Sequence, residues 1–393
     1  MRRRLVAVLI VASIALSLAV IACAFGFLPG YVDGSMNRTL EQRPYPVGDE
    51  AVVLHKALFV ADLHSDCLMW NRDVLALNTR GHVDLPRLVE GNVALQVFSA
   101  VTKVPKGLNY ESNTGDNDSM RTLVILQRWP RRTWSSLLER ALYQAQRLDD
   151  ASKRSEGGLV VLRSRKDVEV LAESRRSGKQ IVGGLLSIEG LHCLEGKLDN
   201  VDVLYNAGFR MMGLTHFFDN EVAGSAHGVS KGGLTDLGRE VIRRIEERGI
   251  IVDLAHASPA AIDEVLLTAT KPIVVSHTGV RGTCDNSRNL SDEQLEGIAK
   301  TGGLVGIGYW NAAVCEPNVE SIVGAIRYVV DHVGLEHVAL GSDFDGGTRT
   351  PFDATGLSEI TDGLLNAGYS ESDIAAIMGG NTLRVLRECL PAT

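Results

Sequence analysis

Eight short runs of β-branched and apolar residues recur along this chain, and six of them end on His, Asp or Glu. They are Ala57–Ala61 (before His64 and Asp66), Val93–Ser99, Ile181–Ile188 (before Glu189), Met211–Thr215 (before His216), Ile250–Ala255 (before His256), Pro272–Ser276 (before His277), Leu304–Tyr309 and Val338–Ser342 (before Asp343). Alternation of such runs with helix-length stretches is the rhythm of βα units and a parallel sheet. A (β/α)8 barrel gathers the residues at the C-terminal ends of its strands around one mouth, where its chemistry sits. The expected fold is therefore α/β, a TIM-like (β/α)8 barrel over residues 56–390.

The 393 residues, 45% hydrophobic and 22% charged, are enough for one such barrel with extras, since the fold takes about 250 residues before insertions. A net charge of −8 argues against a nucleic-acid partner, which calls for a basic face. The N-terminus reads differently from the rest. Arg2, Arg3 and Arg4 precede Leu5–Leu28, a stretch without charge and longer than the roughly 20 residues a bilayer-spanning helix needs. Arginines on its N-terminal side predict a cytoplasmic start and an extracytoplasmic enzyme domain. Ala22-Cys23-Ala24 also fits a cleavage site, and Val20-Ile21-Ala22-Cys23 a lipidation site; all three readings deliver the domain outside the cytoplasm. Residues 1–34 are thus expected to be an anchor or signal segment and residues 35–55, with their Pro and Gly, a linker. Residues 103–156 read as an insertion after the second strand, first loop-like and then helical, flanking the mouth. Six cysteines without a CxxC spacing argue against a cysteine zinc site, whereas an oxidising compartment favours one disulfide.

His64 and Asp66 stand two residues apart at a strand end, where extended backbone points both side chains to one side. Glu189 closes a strongly apolar run, and a carboxylate there is costly unless paired or bound to a cation. His256 and His277 repeat the pattern on consecutive strands. Any one of these alone is the polar end of a strand; together they predict convergence on a metal. Imidazole and carboxylate without thiolate suit zinc, with manganese, cobalt and iron open alternatives. Five ligands exceed the needs of one open catalytic ion, so two ions bridged by a carboxylate are expected.

The chain resembles the membrane (renal) dipeptidase family of zinc peptidases, barrels related to the amidohydrolases. The resemblance runs from about Ala57 to Leu390 through Asp62-Leu63-His64-Ser65-Asp66, His82-Val83-Asp84-Leu85-Pro86-Arg87-Leu88, Ile188-Glu189-Gly190-Leu191-His192 and Leu214-Thr215-His216. It continues with Asp253-Leu254-Ala255-His256-Ala257-Ser258, Ser276-His277, Ser287-Arg288-Asn289 and Gly341-Ser342-Asp343-Phe344-Asp345-Gly346. It implies a dinuclear zinc dipeptidase, with His64 and Asp66 on one zinc and His256 and His277 on the other. Glu189 and a water or hydroxide would bridge the two ions. It further implies Asp343 as catalytic acid/base, His216 as substrate-side histidine and Arg288 as holder of the substrate carboxylate. Dipeptides with a free C-terminal carboxylate follow as substrates, L-Xaa-D-Xaa included. The alternative on the same barrel is another metal-dependent amide, lactam or N-acyl-amino-acid hydrolase. The resemblance also implies a Cys284–Cys315 disulfide and a homodimer, and the N-terminal position of the apolar segment implies a bacterial, membrane-anchored member. Where mammalian relatives carry a pocket aromatic just before that second cysteine, this chain has Ala312-Ala313-Val314.

Overall fold

The computed structural model describes residues 2–393, with the backbone alone for residues 2–3 and 15–21. Eight parallel strands form the barrel: β1 (Val60–Ser65), β2 (Val93–Val101), β3 (Val182–Glu189), β4 (Phe209–Gly213), β5 (Ile251–Asp253), β6 (Val274–Thr278), β7 (Leu304–Ile307) and β8 (Val338–Leu340). Each pairs with its sequence neighbour, and β8 returns to β1 with Leu340 beside Asp62, so the ring has no open edge. Every expected run supplies one strand. A further short strand, Leu159–Leu162, pairs with the first half of β3, Val182–Leu185, before β4 takes over from Leu186 onward.

The strands alternate as their period of two requires. Ala61 and Leu63 of β1 join Leu95, Val97 and Leu185 in a cluster with Leu383 and Leu386 of the C-terminal helix Asn381–Cys389. Asp62 and His64, at the intervening positions, face the other way. The register of β1 slips between Asp62 and Ser65, and that of β6 between Val275 and Thr278. Irregularities of this kind re-aim side chains beside active sites, and here they fall on the strands carrying His64 and His277. The outer helices begin where their sequences offer caps. Ser164 with Asp167 and Ser291 with Gln294 form reciprocal capping boxes, and Ser258 caps a helix opened by Pro259, the first-turn position that tolerates a missing N–H.

The insertion after β2 carries the helices Met120–Leu126 and Leu137–Arg154. Buried Arg140 donates to the carbonyls of Thr133 and Thr102 and pairs with Asp118, which fixes the insertion to the end of β2. Cys284 and Cys315 form the expected disulfide, with Cα atoms 5.5 Å apart, while Cys67, Cys193 and Cys389 are buried thiols.

The N-terminal region holds a helix Arg2–Gly26 followed by a second, Leu28–Met36. Among the described residues no helix is long and apolar enough to cross a membrane; the expected anchor, Leu5–Leu28, includes residues 15–21, whose side chains lie outside the described residues. The stretch read as a linker is partly ordered into secondary structure. Arg38–Thr39 pairs in parallel with Arg349–Thr350, just past β8, and Asp49–Ala57 is helical. Leu28–Met36 rests on the barrel through buried Asp33, which pairs with Arg72 and Arg80.

Candidate functional site

The side chains named at the strand ends meet in one place. Glu189, the last residue of β3, presents Oε1 to three imidazoles: His256 Nε2 at 3.1 Å, His277 Nε2 at 3.4 Å and His64 Nε2 at 3.7 Å. Its Oε2 lies 3.3 Å from His216 Nε2. On the far side of His64, Asp66 Oδ1 is at 3.3 Å and Asp343 Oδ1 at 3.9 Å. Three overlapping groups therefore have donor atoms close enough to share an ion: His64, Glu189 and His277; Glu189, His216 and His256; and His64, Asp66 and Asp343. His256 and His277 face each other at 3.0 Å between their Nε2 atoms. By ring centroids His277 lies 3.8 Å from His64 and 5.0 Å from His256, and Glu189 is common to two of the groups.

The chemistry of this donor set fits metal ions. His64 Nε2, Asp66 Oδ1 and Glu189 Oε2 are buried without a hydrogen-bond partner, an arrangement that costs free energy unless a cation satisfies them. Burial pushes the carboxyls of Asp66 and Glu189 well above the ordinary range, with the neighbouring Asp345 adding to the first and Asp66 to the second. Burial also pushes His256 and His277 well below the usual histidine value, aided by the Arg288 charge for His256 and by His64 for His277. Neutral imidazoles beside carboxylates that resist ionisation are what a ligand cage without its charge looks like.

Behind the ligands stands a layer of polar residues. Ser276 Oγ lies 2.9 Å from His277 Nδ1 and donates to Asp253 Oδ2 at 2.6 Å. Asp253 also accepts from the Ser276 and Ala255 backbone N–H groups. The relay orients His277 so that Nε2 faces the cage. On the other side, Asp62 accepts from Ser342 N and Oγ and from Gln96 Nε2, which ties β1 to the start of the loop carrying Asp343. Gly341 is needed at that crossing: a Cβ there would sit 2.1 Å from the Ser276 carbonyl oxygen. His256 (φ 63°) and Asp343 (φ 58°) are in the left-handed region although neither is glycine. Such backbone costs of order 1 kcal/mol and persists where surroundings over-determine it, commonly at active sites.

A cavity of about 120 Å³ adjoins the cage. Its polar lining includes Asp66, Glu189, His216, His256, Arg288 and Asp343. Arg288 is buried, donates one terminal nitrogen to the His277 carbonyl at 2.6 Å, and keeps Nε without a partner. Its guanidinium lies 5.5 Å from the Trp310 ring centroid. Burial pushes Asp343 up to about 7 and His216 down to about 3.

Several residues besides the expected ligands and catalytic groups also belong here. Trp310 and Tyr110 line the cavity and are joined by a 3.1 Å hydrogen bond from the indole N–H to the phenol oxygen. An aromatic wall is therefore present two residues ahead of Ala312-Ala313-Val314. His227 is buried against Phe217 and hydrogen-bonds the Tyr110 carbonyl. His192 bonds Thr102 Oγ1 at 2.8 Å, and Asp345 accepts from His82 N and Val83 N while pairing with Arg72. No period or motif marks Trp310 or Tyr110 in the sequence, and His227 offered only its residue type, whereas His192 and Asp345 lie inside motifs of the resemblance.

Comparison with known proteins bears directly on this geometry. The family model described as membrane dipeptidase, peptidase family M19, matches residues 49–391. The chain is 31% identical to Dipeptidase tcpJ of Claviceps purpurea over 78% of its own length and 69% of that protein's. It is 28% identical to Dipeptidase verJ of Clonostachys rogersoniana, over 78% and 75%. The probable dipeptidase PvdM from Pseudomonas aeruginosa shares the fold at 21% identity, with a TM-score of 0.72 over 86% of this chain and 97% of that one. A metallo peptidase from Rhodobacter sphaeroides, solved with a phosphinate mimic of the dipeptide L-Ala-D-Ala, superposes with a TM-score of 0.69 at 23% identity, over 84% and 99%.

Proposed function

This chain belongs to the membrane dipeptidase family, peptidase family M19, and from that premise we propose a dinuclear zinc enzyme that hydrolyses dipeptides bearing a free C-terminal carboxylate, L,D pairs included. The observation that carries the carboxylate requirement is Arg288: a buried guanidinium in the cavity wall with Nε unpartnered. A planar fork of donors held in that way suits a carboxylate, and an endopeptidase substrate would bring none to that depth. His64, Asp66, Glu189, His256 and His277 would hold the ions. When bound, two such ions supply an acidified water and polarisation of the scissile carbonyl.

The protein's own groups do the rest. Asp343, with a carboxyl raised to about 7, is suited to take a proton and return it to the departing amine near neutral pH. His216, held neutral by burial, presents an uncharged imidazole to the cavity, where it can hydrogen-bond the developing oxyanion. Arg288 would fix the C-terminus at one end of a cavity of about 120 Å³. The inclusion of L,D pairs draws support from the ligand of the Rhodobacter sphaeroides protein.

The N-terminal helix we read as a tether holding the catalytic domain outside the cytoplasm. Three arginines ahead of Leu5–Leu28 and the exposed Leu5, Val6, Leu9, Ile10 and Ile14 support that reading. Membrane fractionation of cells, followed by protease added from outside, tests it; a catalytic domain found soluble in the cytoplasm would sink it.

The activity test is a panel of L,L- and L,D-dipeptides, each beside its C-terminal amide, with the zinc-loaded enzyme. Cleavage of acids but not amides is expected. For Arg288→Met, KM for the acids should rise by roughly a hundredfold, the loss of a buried charge-assisted pair worth about 3 kcal/mol. Equal cleavage of acids and amides would instead indicate a general amide hydrolase.

A further inference from the structure

Leu28–Met36, nominally the way into the barrel, ends at the cavity. Met36 lines it together with Asp66, Arg288 and Asp343, and is packed so closely on the loop after β8 that a Cβ on Gly347 would come 2.8 Å from Met36 Cε. The same short segment grips that loop by polar contacts. Asn37 Oδ1 accepts from Gly347 N at 2.9 Å, and Asn37 Nδ2 donates to Asp33 Oδ1 at 2.9 Å. Asp33 Oδ2 in turn forms an ion pair with Arg72 Nε at 3.1 Å, and Arg72 pairs with Asp345 Oδ1 at 2.8 Å. Arg38–Thr39 then adds a strand beside Arg349–Thr350. Asp33 and Asn37 are both buried.

The gripped loop is the one that needs holding. Asp343, Asp345 and Gly347 all have positive φ, and left-handed non-glycine backbone survives only where its surroundings enforce it. The barrel holds one side of this loop, through Asp62 on Ser342 and through Trp70, His82 and Val83 on Asp345; Asp33, Asn37 and the added strand hold the other.

We propose that the end of the helix Leu28–Met36, from Asp33 to its C-cap Asn37, is a working part of the active site: Met36 is a specificity-determining wall of the substrate pocket, and Asp33 and Asn37 are positioning residues for the loop that carries Asp343. The proposal rests on the dipeptidase reading above and adds to it which part of the chain selects the substrate side chain.

The test uses the full-length, metal-loaded protein and three dipeptides, Ala-Ala, Phe-Ala and Ala-Phe. Met36→Ala should raise kcat/KM for at least one Phe-containing substrate relative to Ala-Ala by threefold or more, and Met36→Trp should lower it, both mainly through KM. Asp33→Asn and Asn37→Ala should cut kcat for Ala-Ala about tenfold with KM within twofold and two metals still bound. Tyr31→Ala, on the exposed side of the same helix, should leave all three substrates unchanged. Relative rates indifferent to both Met36 variants would overturn the wall; Asp33 and Asn37 variants that lower thermal stability and leave kcat intact would overturn the positioning role. A wild type that binds two metals and cleaves none of the three would overturn the dipeptidase reading and this proposal together, whereas variant indifference in an active enzyme overturns this one alone.

Discussion

Glu189 turns Oε1 towards three imidazoles and Oε2 towards His216. Replacing it by Gln removes the one charge shared by two ligand groups. Glu189→Gln should lose at least one metal equivalent by elemental analysis and more than about a hundredfold in kcat/KM, since even outer partners of metal ligands are worth that much. His227 makes a different prediction. Burial, with the Arg288 charge, pushes it down to about 4, so the unfolded chain binds its proton first. The folded state therefore keeps its full advantage above about pH 6.5 and loses it as the pH falls towards 4. In His227→Gln the slope of unfolding free energy against pH in that window should fall by up to one proton, about 1.4 kcal/mol per pH unit; an unchanged slope in chemical denaturation would contradict it. The convergence of His64, Asp66, Glu189, His256 and His277 was legible in the sequence because each is a polar residue at the end of an apolar run. The positive φ of His256 and Asp343 was not, since only glycine advertises that conformation. Trp310, Tyr110 and Met36 were not either, because a pocket wall built from loops has no period.

The eight strands were legible as elements, but their limits moved. The first run was expected over Ala57–Ala61, yet β1 begins at Val60 because the helix Asp49–Ala57 claims the earlier residues. Leu159–Leu162 escaped notice, being four residues long and immediately after the insertion. The helix Leu28–Met36 contains Pro29, Gly30 and Gly34, a composition that reads as linker. Pro29 sits in its first turn, where proline is harmless, and the glycines leave room for Arg80, whose guanidinium would lie 3.3 Å from a Cβ on Gly30. Tertiary contact thus outweighs a propensity cost of about 1 kcal/mol per glycine. The disulfide acts on an element of the site as well, because the 31-residue span from Cys284 to Cys315 contains both Arg288 and Trp310. Replacing both cysteines by serine should cost about 3 kcal/mol by closure of such a loop, read as a lower Tm, and should raise KM more than it lowers kcat.

For the molecule as a whole, the buried ligand cage links folding to metal supply. Partnerless His64 Nε2, Asp66 Oδ1 and Glu189 Oε2 burden the empty protein, and an ion that binds only the folded state stabilises it by about 4 kcal/mol at a thousandfold excess over Kd. Chelation should therefore lower Tm by several degrees, and zinc should restore it; a Tm indifferent to metal would mean the cage is not closed by ions. The ring of eight strands has no edge to pair with another chain, which keeps the scaffold rigid while its loops take on chemistry. The narrow mouth, walled by Met36, Tyr110, Phe217 and Trp310, has a consequence for the cell that makes the enzyme. A peptidase whose pocket admits only the smallest fragments is harmless to folded neighbours, so safety is built into the doorway.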